Sequence, residues 1–179
     1  ETLELAVSLA NECEADIILA TDPDADRVGV GVKHNGAYRL LDGNQAGTLL
    51  LHFILSRRKQ LHLLPDNSVV IKTIITTRMQ QRISEHFGCR IIDVLTGFKW
   101  IADTMAKLDE SGAAFIFGGE ESYGYLPIDF VRDKDAVSAS LFFCDMAAWL
   151  KEQGKSTIDY LDELYRQFGY YTEEMHYVK

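Results

Sequence analysis

The sequence predicts an α/β protein: a three-layer αβα domain on a mostly parallel, mixed sheet, preceded by part of another α/β domain. Three observations carry that expectation. From residue 69 onward, short apolar runs alternate with segments of helical period, the layout of βαβ units. Before them, an acidic loop separates two strand-like apolar runs. With 179 residues, 47% apolar and 25% charged, the chain has the balance of an ordinary globular protein with a sizeable core.

Taken in order, Leu3, Ala6, Val7 and Ala10 recur at helical spacing, Ile17 to Ala20 form a strand, and Val28, Val30 and Val32 alternate as a second. His34-Asn35-Gly36 is a polar turn. Asn44 is the expected N-cap of an apolar helix from Gln45 to about Lys59, with Arg57-Arg58-Lys59 at its C-terminus. A domain boundary near Gly43 divides the chain into 1–43 and 44–179. Val69 to Ile71 is the next strand, and Thr77 to Phe87 is a helix with Met79, Ile83 and Phe87 on one face and Gly88 as its stop. Strand Arg90 to Leu95, helix Lys99 to Leu108 and strand Ala113 to Phe117 follow. Two helices close the chain, Asp135 to Glu152 and Ser156 to Phe168, the second opened by a Ser156-x-x-Asp159 cap and ended by Gly169.

A formal charge of -9, a pI near 5.0 and no basic stripe exclude a nucleic-acid backbone or an anionic membrane as partner. No signal segment or membrane-length apolar run is present, so the expected location is cytoplasmic. Cys13, Cys89 and Cys144 are odd in number and far apart, which reads as core thiols in a reducing compartment. The five histidines show no ligand spacing. The chain opens on Glu1-Thr2-Leu3 and is already amphipathic there, so it is expected to start inside a longer protein.

The richest segment chemically is Thr21-Asp22-Pro23-Asp24-Ala25-Asp26-Arg27. On an extended backbone alternate side chains share a direction, so Asp22, Asp24 and Asp26 converge and call for a cation to offset their repulsion. Oxygen-only ligation selects Mg²⁺, Mn²⁺ or Ca²⁺ over zinc. An EF-hand would need Gly and Glu where Arg27 and Lys33 stand, leaving a Mg²⁺ site that awaits a phosphate oxygen. The plain alternative is an acidic surface turn.

In parallel sheets ligands bind at the carboxyl ends of strands. Leu95-Thr96-Gly97-Phe98-Lys99 follows one strand and Gly118-Gly119-Glu120-Glu121-Ser122-Tyr123-Gly124 another. In the second, glycines allow close approach while Glu120 and Ser122 offer the groups that vicinal sugar hydroxyls need. A solvated turn is the competing reading. Arg132-Asp133-Lys134-Asp135 is either a helix start with a favourable anion or a basic contact for a phosphosugar.

Taken together and in this order, these motifs resemble the α-D-phosphohexomutases, the phosphoglucomutase/phosphomannomutase family, over essentially the whole chain, from late in that family's second domain through its third. The resemblance implies an isomerase that moves phosphate between the 1- and 6-positions of a hexose, through an enzyme phosphoserine and a bisphosphate. Glucose 1-phosphate, glucose 6-phosphate and glucose 1,6-bisphosphate are the implied sugar phosphates, and Glu120-Glu121-Ser122-Tyr123-Gly124 is more similar to the loop of glucose-preferring members than to that of dual mannose/glucose ones, although pentose-phosphate mutases have similar loops. It further implies that Asp22, Asp24 and Asp26 hold Mg²⁺ and that Arg27 sits beside the serine phosphate. Glu120 and Ser122 would grip ring hydroxyls, Gly97 and Phe98 would form the specificity loop, and Lys134 would transfer a proton or hold a phosphate.

The family's Ser-His-Asn-Pro segment and its phosphate clamp, in the first and fourth domains, do not occur in these 179 residues, so the polypeptide alone is expected to be inactive. One helix and two strands before residue 42 would leave an open sheet edge, so a dimer, or poor order before residue 15, is expected. Two rival readings are an aspartyl-phosphate phosphotransferase with Asp22 as nucleophile and a non-catalytic sugar-phosphate-binding module.

Overall fold

A computed structural model describes residues 3–174. Helix α1 (Glu4–Glu12) leads into strands β1 (Ile17–Thr21), β2 (Val28–His34) and β3 (Ala37–Leu40), an antiparallel meander in the order β1-β2-β3. The meander therefore has one strand more than expected. β3 is short and exposed, with none of the apolar alternation that makes β2 legible.

Helix α2 (Gly43–Gln60) follows, then β4 (Ser68–Thr73), α3 (Met79–His86), β5 (Arg90–Val94), α4 (Phe98–Ser111), β6 (Ala114–Glu120), β7 (Gly124–Leu126), α5 (Ala136–Glu152) and α6 (Thr157–Phe168). The second sheet runs β5-β4-β6-β7, parallel except for the β6/β7 hairpin. This is the mixed, mostly parallel sheet of an αβα domain. One face carries α4 through Ile101, Met105 and Leu108; the other packs on α2, α3, α5 and α6.

From Ala46 to Leu55 helix α2 is buried all round, with Leu49, Leu50, Leu51 and Leu55 fully buried, the mark of a segment enclosed on every side, while its basic last turn reaches solvent. The inward Val28, Val30 and Val32 of β2 join the same apolar cluster, so the meander and the larger domain share a continuous core. Asn44 is not the N-cap of α2. Asp42 takes that place in a capping box with Gln45, while Asn44 Oδ1 accepts the Thr77 N–H at 3.0 Å and ties α2 to the entry of α3. At α6 the Ser156/Asp159 box and the Gly169 stop match expectation.

Strand β6 also runs three residues past its expected end at Phe117. Gly118 and Gly119 pair with Ile71 and Lys72 in the sheet rather than forming a loop, and they are glycines because a Cβ would lie 2.9 Å from Ile101 Cγ2 or Phe117 Cε1, respectively. A register shift opposite Val69/Val70 leaves Ile116 unmatched, so Ile116 and Phe117 both face the α2 side. Of the three thiols, Cys89 is buried as expected, whereas Cys13 and Cys144 are exposed and are not core residues. Among the described residues, no helix is long and apolar enough to cross a membrane.

Candidate functional site

The acidic loop is a turn and not the extended ribbon that alternate spacing implies. The Ala25 N–H donates to the Asp22 carbonyl at 3.0 Å, and Ala25 has a φ of 55°. Left-handed backbone costs an alanine roughly 1–2 kcal/mol. It is held in place by the Ala136 N–H at the start of α5, which donates to the Ala25 carbonyl at 3.1 Å. Inside the turn, Asp22 Oδ1 accepts the backbone N–H groups of Asp26 and Arg27 at 3.2 and 3.1 Å, and Oδ2 accepts Arg27 Nε at 2.6 Å. The Arg27 backbone N–H is the main cause that lowers the Asp22 carboxyl to about 2; partial burial opposes it, and the guanidinium adds to it.

Asp22, Asp24 and Asp26 each bring one carboxylate oxygen within 4.8 Å of the other two. A hard divalent ion with metal–oxygen distances of about 2.0–2.6 Å spans a shell roughly 4–5 Å across, so this oxygen-only set fits one.

Lys134 is the point where the loops meet. Its Nζ lies 2.8 Å from Asp26 Oδ2, 3.1 Å from Asp133 Oδ1 and 5.3 Å over the centre of the Phe98 ring. Burial acts to lower its pKa, but the hydrogen bonds to Asp26 and Asp133 outweigh it and the ammonium is held above its ordinary value. Next to it, Glu120 ends β6 at 6% exposure, with Oε1 accepting the Gly97 N–H at 2.9 Å. Burial raises the Glu120 carboxyl, opposed by that N–H and by Lys134. Gly97 has a φ of 112°, which side-chain-bearing residues rarely adopt.

The turn between β6 and β7 has Tyr123 at a φ of 69°, and it docks directly on the acidic loop. The Val28 N–H donates to the Tyr123 carbonyl at 3.1 Å, and Arg27 bridges to Gly124. Asp22, Asp24, Asp26, Arg27, Lys134, Phe98, Gly97 and Glu120 thus form one connected group. Ser122 lies at the exposed tip of the turn and lines a recess of about 420 Å³ with Arg27 of that group and with Asp42 and Asn44. Of the charged run before α5, Asp135 caps the helix and Arg132 pairs with Asp109 at 2.6 Å.

Two features escaped the sequence reading. Glu121 Oε2 accepts Thr73 Oγ1 at 3.0 Å and Thr76 Oγ1 at 3.4 Å, fastening the β6/β7 turn to the end of β4. Lys72 is 1% exposed, and its Nζ donates to the Thr76 carbonyl at 3.1 Å and faces Asp93 at 3.0 Å. The signal for it was a lysine ending the buried run Val69-Val70-Ile71.

The acidic turn of the meander thus meets Lys134, the Gly97/Phe98 loop and the Glu120 end of β6 at the carboxyl ends of the strands of an αβα domain, the place where proteins of the α/β class commonly take ligands. Residues 42–168 match the family described as phosphoglucomutase/phosphomannomutase, alpha/beta/alpha domain III. A phosphoglucomutase of Staphylococcus haemolyticus is 38% identical over 175 residues, 97% of this chain and 31% of that protein. A phosphoglucomutase of Staphylococcus aureus is 38% identical over 165 residues, 92% of this chain and 29% of its own length. A solved structure of a phosphoglucomutase/phosphomannomutase family protein from Burkholderia thailandensis shares the fold, with a TM-score of 0.67 at 22% identity over 91% of this chain and 32% of that one. The chain belongs to the phosphoglucomutase/phosphomannomutase family. It spans about a third of the length of these curated relatives.

Proposed function

We propose that this chain is the portion of a cytoplasmic, Mg²⁺-dependent phosphoglucomutase that holds the metal and the sugar, with residues 1–43 supplying the metal loop and 44–179 the sugar-binding domain. The observation that carries the reading is Lys134, which joins Asp26 of the carboxylate cluster to the Phe98 loop on the face where Glu120 lies. A mutase needs a phosphoryl group and a sugar ring held side by side, and these residues are side by side.

In this reading Asp22, Asp24 and Asp26 hold Mg²⁺, and the ion when bound spreads the charge of the transferring phosphoryl oxygens. Arg27 adds a guanidinium donor for a phosphate of the parent enzyme's serine. Glu120, kept partly dry, accepts from ring hydroxyls, and Ser122 at the turn tip supplies a further donor-acceptor. Gly97 and Phe98 bound the ring from the facing loop, and Lys134 holds phosphate or moves a proton. Substrates are glucose 1-phosphate and glucose 6-phosphate, exchanged through glucose 1,6-bisphosphate.

Asp22 shares one cluster with Asp24 and Asp26, an oxygen of each lying within 4.8 Å of the others, which favours a ligand role for Asp22 over that of an attacking nucleophile. The 179 residues contain no Ser-His-Asn-Pro segment, so they are expected to bind and not turn over. Among the described residues β1 and β3 are the outer strands of the meander, and these edges also favour dimerisation of this polypeptide, which light scattering tests. Calorimetry with Mg²⁺ and glucose 1-phosphate tests the main reading: binding that is lost in Asp24→Asn supports it, and identical titrations of the two proteins overturn it.

A further inference from the structure

Lys134 occupies an unusual position for a side chain that is to meet substrate. Its stem fills the space a side chain at residue 124 would take: a Cβ on Gly124 would lie 2.3 Å from Lys134 Cδ. Gly124 is the ladder partner of Glu120, and directly opposed residues in an antiparallel pair project on the same face. Lys134 therefore runs beside Glu120 before ending on Asp26, one of the three clustered carboxylates. Arg27 also faces the cluster, with Nε at 2.6 Å from Asp22 Oδ2 and 3.6 Å from Asp26 Oδ1, but its backbone belongs to the acidic loop and its side chain is half exposed to solvent. Lys134 is anchored on another segment and has the Phe98 ring and Asp133 as further partners.

We propose that Lys134 is an internal counter-ion of the cation site, displaced from Asp26 when a divalent ion binds and thereby turned to the Glu120 side of the cleft. The inference rests on the reading of Asp22, Asp24 and Asp26 as a cation site. A divalent ion at Asp26 and the Lys134 ammonium repel one another, and the ion has three clustered carboxylates to hold it, whereas the lysine has Asp26 and keeps Asp133 as a partner when it leaves. Filling the metal site and arming the sugar side then become one event, so sugar phosphate and cation bind with positive coupling, each strengthening the other by the same factor.

The test uses the 179-residue chain and Mg²⁺ alone. Affinity is measured by calorimetry for wild type, Lys134→Met, Lys134→Arg and Asp24→Asn, and the Lys134 Cε resonance is followed by NMR through the titration. Removing the positive charge that competes for Asp26 strengthens Mg²⁺ binding by about fivefold or more in Lys134→Met, whereas Lys134→Arg, which keeps a cation, stays close to wild type. In wild type the Lys134 signal moves as the site fills; in Asp24→Asn both binding and movement are lost. Lys134→Gln replaces the methionine variant if that misfolds. Binding that Asp24→Asn abolishes, combined with a silent Lys134 signal and unchanged affinity in the neutral variants, overturns the counter-ion role and leaves the cation site standing. Binding indifferent to Asp24, or none in any variant, overturns both.

Discussion

Gly124 and Lys134 compete for one volume, since a Cβ at residue 124 would sit 2.3 Å from the lysine Cδ and 3.0 Å from its Cγ. The conflict is with a flexible stem, so Gly124→Ala is expected to move the lysine rather than break the sheet. Overpacking of this kind costs about 1 kcal/mol, at the low end of its range. The Lys134 Cε resonance should shift in the variant while the urea midpoint falls only slightly; an unmoved resonance refutes the steric account.

Gly43 is a harsher case. A Cβ there would lie 1.8 Å from the Glu121 carbonyl oxygen, a backbone atom that cannot swing away, and the Gly43 carbonyl also accepts the buried Tyr125 hydroxyl at 2.8 Å. Gly43→Ala is expected to cost about 3 kcal/mol, the upper end of ordinary overpacking. Urea unfolding with an unchanged slope and a much lower midpoint is the expected result. A midpoint within error of wild type contradicts the tight seat of the β6/β7 turn on α2.

Removing the Glu121 carboxylate leaves the buried hydroxyls of Thr73 and Thr76 without that acceptor. Glu121→Ala should therefore cost about 1–3 kcal/mol, and Glu121→Gln, which keeps one acceptor oxygen, less. Hydrogen exchange at Ser122 and Tyr123 should speed up in the alanine variant. Equal exchange in the two proteins argues that the turn is held by its backbone alone.

His52 makes stability fall in mild acid. It packs against Phe87 and Phe168, its Nδ1 is paired with the Tyr160 hydroxyl, and burial lowers its pKa from 6.5 to about 4, with His86 adding to the effect. Above pH 6.5 it is neutral folded or unfolded. Between about 6.5 and 4 the unfolded chain takes up a proton that the folded chain refuses, and stability is lost as pH drops, by up to about 3 kcal/mol. Urea midpoints at pH 7 and pH 5 should differ in wild type and converge in His52→Gln; a slope that survives the substitution points to another group.

Glu120 acts in the opposite sense. Its carboxyl is raised above 4.5 chiefly by burial, so the folded state favours the protonated form and loses stability as pH rises past that value. Glu120→Gln should be the more stable protein at pH 7, with the advantage shrinking toward pH 4, while sugar-phosphate binding weakens. A stability difference independent of pH rules out buried charge as its origin.

Much of this architecture is legible in the residues themselves. Period 2 in Val28, Val30 and Val32, helical period in Met79, Ile83 and Phe87, and the Ser156/Asp159 box are local signals, and local signals suffice where one face is simply buried or one helix end simply capped. The three aspartates are legible as chemical types, but the convergence expected from an extended backbone is made instead by a turn. What the residues could not disclose is direction. The turn at Ala25 is stabilised from outside by Ala136, and Asn44 yields the cap to Asp42 because Thr77 needs its oxygen. The single unmatched residue at Ile116 resets the alternation of β6, and only after that reset does Glu120 face Gly97 and Lys134 while Glu121 faces Thr73. A bulge is decided by which register packs both sheet faces best, an energy summed over α2 on one side and α4 on the other. Composition and spacing named the chemical groups; long-range packing chose which of them meet.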